Sequence, residues 1–237
     1  MEKCNYRKDP HQDIDHVFRD LLPAHGMVER PAQVELSHQM LDTMLNGSIA
    51  LCDAGTGIGK TYAYLVAGVV FRRYRSRAGL PNQPLLISTS SIALQGAIIH
   101  DYLPFLSKVM MADGMLDSPL RAVLRKGKSH YVCDARLMKR LQTANLDRKN
   151  PLAKAALLSM RDHLDLDMAP HLSGYDRERI CVPPTCDCGK TECRYLCYLD
   201  VCVSERYAIQ VCNHNLLLAD AIHRGSGKRS ILPDSCA

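Results

Sequence analysis

Apolar positions along this chain follow two rhythms, a helical one and a short continuous one. Glu29-Arg30-Pro31 opens a helix, because proline suits the first helical turn. Val34, Leu41 and Leu45 follow at helical spacing, with Met44 beside them. Ile49 to Cys52 is a continuous apolar run and predicts a short buried strand. Thr61 to Tyr74 predicts a helix that ends in the basic run Arg72-Arg73-Tyr74-Arg75. Gly79 to Pro84 punctuates a loop, Leu85 to Thr89 predicts a second strand, and Ser91 to Ile99 a second helix. Strands alternating with helices argue for a parallel sheet.

From about Arg121 to Leu199 the pattern changes to charged, helical and cysteine-punctuated. Tyr207 to Cys212 then predicts a strand, Asn213-His214-Asn215 a turn, and Leu216 to Ile222 a short helix. The expected organisation is an α/β domain interrupted by an insert. Residues 1–28 form a lead-in, 29–120 the first part of the domain, 121–200 the insert, and 201–237 the return. No internal repeat or low-complexity linker occurs.

The chain has 237 residues, 46% of them hydrophobic, which suffices for one large domain or two small ones. Lys and Arg number 30 against 25 acidic residues, a surplus that permits a nucleic-acid partner without demanding one. The opening MEKCNYRKDPHQDID has no apolar core of a secretory signal. No apolar run reaches the roughly 18 residues that a membrane span needs. The expectation is a cytoplasmic chain with no membrane partner. Thiols stay reduced there, so clustered cysteines point to metal rather than disulfides.

The strongest chemical signal is Ala54-Gly55-Thr56-Gly57-Ile58-Gly59-Lys60-Thr61. It departs from the strict phosphate-loop pattern only in carrying Ala54 where glycine is usual. Gly55, Gly57 and Gly59 let backbone N–H groups converge on an anion with no Cβ in the way. The helix that follows adds its positive end. In this pattern Lys60 reaches the outer phosphates and the Thr61 hydroxyl binds Mg²⁺, so ATP and Mg²⁺ are the expected ligands. Hydrolysis would also need an acidic residue at the end of a neighbouring strand. The chain contains no Asp-Glu dipeptide, and the only strand-like run ending in Asp is the one that closes at Asp53.

The second signal is Cys181, Cys186, Cys188 and Cys193, four thiols within thirteen residues, with Cys133 about fifty residues upstream. Four thiolates complete a tetrahedral zinc site or an iron–sulfur cluster, and the spacing does not choose between them. Cys4, Cys52, Cys212 and Cys236 lie singly and suit the role of small buried hydrophobes. Cys197 and Cys202 follow the cluster.

Taken together, these residues resemble the DinG/XPD group of superfamily 2 DNA helicases. Arg30-Pro31-Ala32-Gln33 resembles the group's adenine-reading segment, which implies that Gln33 reads the base. Ala54 to Thr61 is similar to motif I. Ser88 to Gln95 resembles motif Ia, which in the group touches the single-strand backbone. Lys126 to Tyr131 with Cys133 resembles the entry to an iron–sulfur domain, and Cys193-Arg194-Tyr195 its last-ligand segment. Val211-Cys212-Asn213-His214 resembles the strand and turn that follow.

The resemblance implies a RecA-like P-loop parallel sheet with a helical cysteine-rich insert holding a [4Fe–4S] cluster. It implies an ATP-dependent helicase moving 5′→3′ on single-stranded DNA. Cys133 would be the first ligand, and Cys181, Cys186 and Cys193 fit the rest, with Cys188 able to replace Cys181 or Cys186. The next element in the group is an Asp-Glu-Ala-His box, whereas this chain closes on Ile231 to Ala237. The expectation is therefore the N-terminal portion of such an enzyme, not hydrolytically competent alone. Two alternatives stand beside it: a non-catalytic nucleotide- and DNA-binding fragment, and a zinc-bearing P-loop NTPase of another type.

Lesser features carry two readings each. Arg72, Arg73, Arg75 and Arg77 suit either nucleic-acid contact or a solvated helix end favoured by the dipole. Arg121, Arg125, Lys126, Lys128, Arg136, Lys139 and Arg140 crowd around Cys133 and suit phosphate tracking or a charged surface. Tyr131 and Tyr195 are the candidate platforms for stacked bases.

Overall fold

The structure is a computed structural model that describes residues 9–143, 151–186, 193–203, 207–227 and 230–233. The chain divides into two compact units: Met1–Arg125 with Glu205–Ala237, and Lys126–Ser204.

The first unit is mixed α/β. Its sheet has three parallel strands in the order β1 (Leu85–Ser88), β3 (Ile209–Cys212), β2 (Ala122–Arg125). All four residues of the central β3 are buried, as a strand paired on both sides and covered on both faces requires. Leu85 and Ala122 both pair with Ile209, so the strands start level. The second unit is inserted in the chain between the adjacent strands β2 and β3.

The sheet packs against α4 (Lys60–Arg77), which buries Leu65, Val66, Val69 and Val70. Each such aliphatic side chain contributes about 1.5–3 kcal/mol on burial. Gly68 sets how closely α4 and β1 approach, since a Cβ there would lie 2.4 Å from Leu85 Cδ2. On the same core lies α3 (Pro31–Leu45), with Val34 and Leu41, and α1 (Pro10–His16) with Ile14. A π-helical turn, Val17–Leu21, and a short α2, Leu22–Ala24, add Val17, Phe18 and Leu22. Residues 10–24, expected only as part of a lead-in, thus supply core.

After β1 come α5 (Ile92–Ala97), a second π-helical turn, Ile98–Tyr102, and α6 (Leu103–Ala112). α11 (His214–Gly225) follows β3.

Two expectations change. Ile49 to Cys52 does not form a strand: these residues lie outside the sheet, with Ile49 95% and Leu51 98% exposed. A parallel strand exists only through ladder bonds to a neighbour, and the described sheet is complete as β1-β3-β2 without this run. Conversely, Ala122–Arg125, which the charge pattern assigned to the insert, is a strand of the sheet. Its Arg125 is 2% exposed, donating to Gln210 Oε1 at 2.8 Å and to the Ile231 carbonyl at 2.7 Å.

The second unit is helical: α7 (Asp134–Thr143), α8 (Pro151–Ser159), α9 (Gly174–Ile180) and α10 (Arg194–Val203). Leu137, Leu157, Met160, Leu166 and Ile180 form its main cluster. Ion pairs tie its loops. Lys126 Nζ reaches Asp165 at 2.6 Å and Asp167 at 2.8 Å, and Arg194 reaches Asp134 at 2.5 Å. Among the described residues no helix is long and apolar enough to cross a membrane.

Candidate nucleotide-binding site

The glycine-rich loop stands at the N-terminus of α4. Gly59 is the N-cap with φ 90°, and Gly57 has φ 84°, both in the left-handed region that a side chain resists. Two such positions two residues apart fold the backbone back on itself and set its amides beside the positive end of an 18-residue helix. Ala54 and Ile58 are half-buried, while Gly55, Thr56, Gly57 and Lys60 are exposed. Thr61 occupies the first turn of α4 and is half-buried.

Lys60 turns back over the loop, and its Nζ donates to the carbonyls of Ala54 at 2.7 Å and Gly55 at 3.1 Å. The ammonium therefore lies against the first two residues of the loop. α3 closes the other side. Gln33 Nε2 donates to the Gly59 carbonyl at 2.6 Å, Arg30 Nη1 to the Gly57 carbonyl at 2.7 Å, and Ser37 Oγ to the Ala63 carbonyl at 3.0 Å. Gln33 is 3% exposed, and a Cβ on Gly59 would lie 2.1 Å from its Nε2. The sequence pointed to Gln33 as a base reader. Its contact with the loop, and that of Arg30, were not legible there because both partners are backbone carbonyls 26 and 27 residues away.

The C-terminal ends of β1 and β3 carry the other motif stretches. Ser91 caps α5 by accepting from Leu94 N at 3.1 Å, and Gln95 Nε2 donates to the Thr89 carbonyl at 2.9 Å. Asn213 caps α11 by accepting from Leu216 N at 2.8 Å.

In the second unit, Cys133 and Cys181 lie on antiparallel neighbouring backbone. Cys133 N donates to the Ile180 carbonyl at 2.7 Å, and Val132 pairs with Cys181. Side chains alternate along such a stretch. Cys133 packs with Tyr131 and Val182, alongside Tyr195 and Tyr198 of α10, whereas Cys181 packs with Val132 in the main cluster. Cys181 Sγ lies 3.7 Å from Arg136 Nη1 and donates to the Glu178 carbonyl at 3.4 Å. The chain leads from Cys193 directly into α10, so the Tyr195 ring, 5.3 Å from that of Tyr131, brings the Cys193 segment to the Cys133 side. Cys186 is exposed, and Cys188 lies outside the described residues. Among the described residues no group of three or more ligating side chains is close enough to hold a metal ion.

Most of the basic residues named above are engaged inside the molecule. Arg73 and Arg77 pair with the buried Asp13 at 3.2 and 2.9 Å, Arg72 donates to the Gln83 carbonyl, and Arg75 to that of Pro81. Arg136 binds the carbonyls of Cys181 and Glu178, Arg140 pairs with Asp176, and Lys128 donates to the Pro184 carbonyl. Tyr131 is 3% exposed, so its ring is core and not a platform for a base.

A chain with this loop and this order of elements has curated relatives. It is 30% identical to the 3′-5′ exonuclease DinG of Bacillus subtilis over 61% of its length, which is 14% of that protein. It is 26% identical to the ATP-dependent DNA helicase YoaA of Haemophilus influenzae over 89% of its length, 32% of that protein. The ATP-dependent helicase DinG of Mycobacterium tuberculosis is 29% identical over 53% of the chain. The chain is thus similar to DinG and YoaA proteins. It spans no more than about a third of the length of these DinG and YoaA relatives. No protein-family model matches it.

Proposed function

We propose that this DinG-like chain is the ATP-binding part of an ATP-dependent DNA helicase that works on single-stranded DNA in the cytoplasm. The observation that supports it most is the loop itself, with Gly57 and Gly59 in the left-handed region and Lys60 folded back against its first two residues at the head of α4. The names of the relatives agree with the reading.

The three-stranded parallel sheet with α4 is the RecA-like part, and the unit that begins at Lys126 is the cysteine-rich insert. The backbone N–H groups of Gly55 to Lys60 surround the β-phosphate, and Lys60 exchanges its two carbonyl partners for phosphate oxygens of the β and γ groups. Thr61 offers its hydroxyl to Mg²⁺, whose charge offsets that of the triphosphate. Gln33 would read the adenine through its Oε1, because its Nε2 is held by the Gly59 carbonyl. The chain alone lacks an Asp-Glu pair and binds ATP without turning it over. The donor set of the insert is all thiolate, which suits a [4Fe–4S] cluster, with zinc as the other occupant. Cys133, Cys186, Cys188 and Cys193 would hold it, and Cys181, packed on the other face, would not. Such a centre would cross-link segments of the insert distant in sequence. In the group the motion is 5′→3′.

Calorimetric titration with Mg-ATP, together with phosphate release measured with and without single-stranded DNA, tests this reading. Binding that Lys60→Ala abolishes, with no release, is expected. ATP binding unaffected by Lys60→Ala, or transfer of phosphate to a small acceptor, would overturn it.

A further inference from the structure

We propose that Arg30 is a positioning residue for the phosphates of the nucleotide, with Gln33 as its partner. The proposal rests on the reading of Ala54 to Thr61 as a phosphate loop. Arg30 is the N-cap of α3 and Gln33 lies three residues on, so both side chains leave the same end of one helix. One takes the Gly57 carbonyl and the other the Gly59 carbonyl.

No cis peptide occurs among the described residues. In a trans peptide the carbonyl and the following N–H point in opposite directions. Holding the Gly57 carbonyl toward α3 therefore turns the Ile58 N–H away from α3, to the concave side of the loop. Holding the Gly59 carbonyl likewise turns the Lys60 N–H. The Gly59 carbonyl also accepts from Ala63 N at 3.3 Å in the first turn of α4, so Arg30 aims the Ile58 amide while the helix, with Gln33 added, aims that of Lys60.

Glycine is the residue least able to hold such an orientation by itself, because both hands of φ are open to it. A loop of free glycines would have to lose that freedom when the anion binds. Arg30 imposes the orientation at Gly57 beforehand, and Gln33 reinforces at Gly59 what the first turn of α4 sets. Lys60, meanwhile, is held by the carbonyls of Ala54 and Gly55, at the start of the loop and away in sequence from the clamped pair. The anion site is thus set by three side chains, and Arg30 acts without touching the ligand.

The test uses the whole chain and two probes, Mg-ATP and inorganic pyrophosphate, which has phosphates and no base. Arg30→Ala is expected to weaken both by about five- to tenfold. Arg30→Lys, which keeps a long cationic donor, is expected to restore both to within about twofold of the parent. Arg30 is exposed, and an unchanged thermal midpoint verifies the fold. Should Arg30→Ala lose its fold, Arg30→Gln, too short to reach Gly57, is compared with Arg30→Lys in the same way. Unchanged pyrophosphate affinity in the short variant overturns the proposal, whether or not ATP binding falls. Lys60→Ala in parallel separates the two ideas: if it leaves both probes unaffected, the phosphate-loop reading itself has failed.

Discussion

Ser88 Oγ lies 2.8 Å from His214 Nδ1, joining the end of β1 to the first residue of α11. The contact follows from the register, in which Ser88 pairs with Cys212, two residues before His214. It ties the Ser88–Gln95 stretch to the Asn-His turn, which are 126 residues apart at this bond. Asn213 secures the same corner by capping α11. Asn213→Ala is expected to lower the unfolding free energy of the first unit by about 1 kcal/mol, the usual cost of a lost cap. A double-mutant cycle on Ser88→Ala and His214→Ala should give a coupling of about 0.5–1 kcal/mol. Additive losses in denaturant unfolding would mean that the pair contributes nothing.

Gly59 meets two constraints at once. Its φ of 90° disfavours any side chain by about 1–2 kcal/mol, and a Cβ would overlap Gln33 Nε2. Gly59→Ala should therefore lose stability and ATP binding together. Adding Gln33→Ala removes the overlap but not the backbone cost, so the double variant should recover part of the stability and none of the affinity. Full recovery of both would show that the left-handed backbone is not needed.

Much of this fold was legible in the sequence, for identifiable reasons. α3, α4, β1 and β3 each announce themselves through their own periodicity or a continuous apolar run. The glycine loop is legible because positive φ leaves few residue choices. What was missed depends on partners distant in sequence. Ala-Val-Leu-Arg at 122–125 is four residues ending in a charge; it is a strand because it pairs with β3, and Gln210 and the Ile231 carbonyl accept the buried guanidinium. The run at 49–52 misled for the converse reason: its composition suits a strand, but strand formation belongs to a pair and not to a segment. Residues 10–24 did carry a signal. Ile14, Val17, Phe18 and Leu22 fall at helical spacing, hidden among seven polar and charged neighbours. The arginines after Phe71 show charge in a sequence and structural cross-links in the fold, because Asp13 and the carbonyls they meet are invisible locally.

The opposed faces of Cys133 and Cys181 bear on the ligand set of the insert. Protein purified without oxygen and assayed for bound iron and zinc should lose its metal in Cys133→Ser and in Cys193→Ser. Cys181→Ser should keep it, because that thiol packs with Val132 and Arg136 on the other side of the backbone. Metal content lost equally in all three would mean that the Cys181 segment turns over when the metal binds.

The two units should respond to pH at opposite ends. Burial works to raise the pKa of Asp167, but hydrogen bonds from Lys126 and Arg177 prevail and bring it down to about 2. A carboxyl whose folded pKa lies below its unfolded value of about 3.9 contributes stability in full above that value. The contribution fades as pH falls toward 2, so the second unit should weaken between about pH 4 and pH 2. His16 has the other sign. Burial works to lower its pKa, but hydrogen bonds to Asp20 and Asp113 outweigh it and the pKa is raised. Its contribution is complete below the unfolded value of about 6.5 and is lost as pH rises through the folded one. Hydrogen exchange resolved by segment can follow both units in one sample. Asp167→Asn should flatten the acid loss in residues 151–180, and His16→Gln the loss that sets in as pH rises past the unfolded value, around α1 and α6. Matching pH profiles for parent and variant in either unit would show that the pair there does not couple to folding.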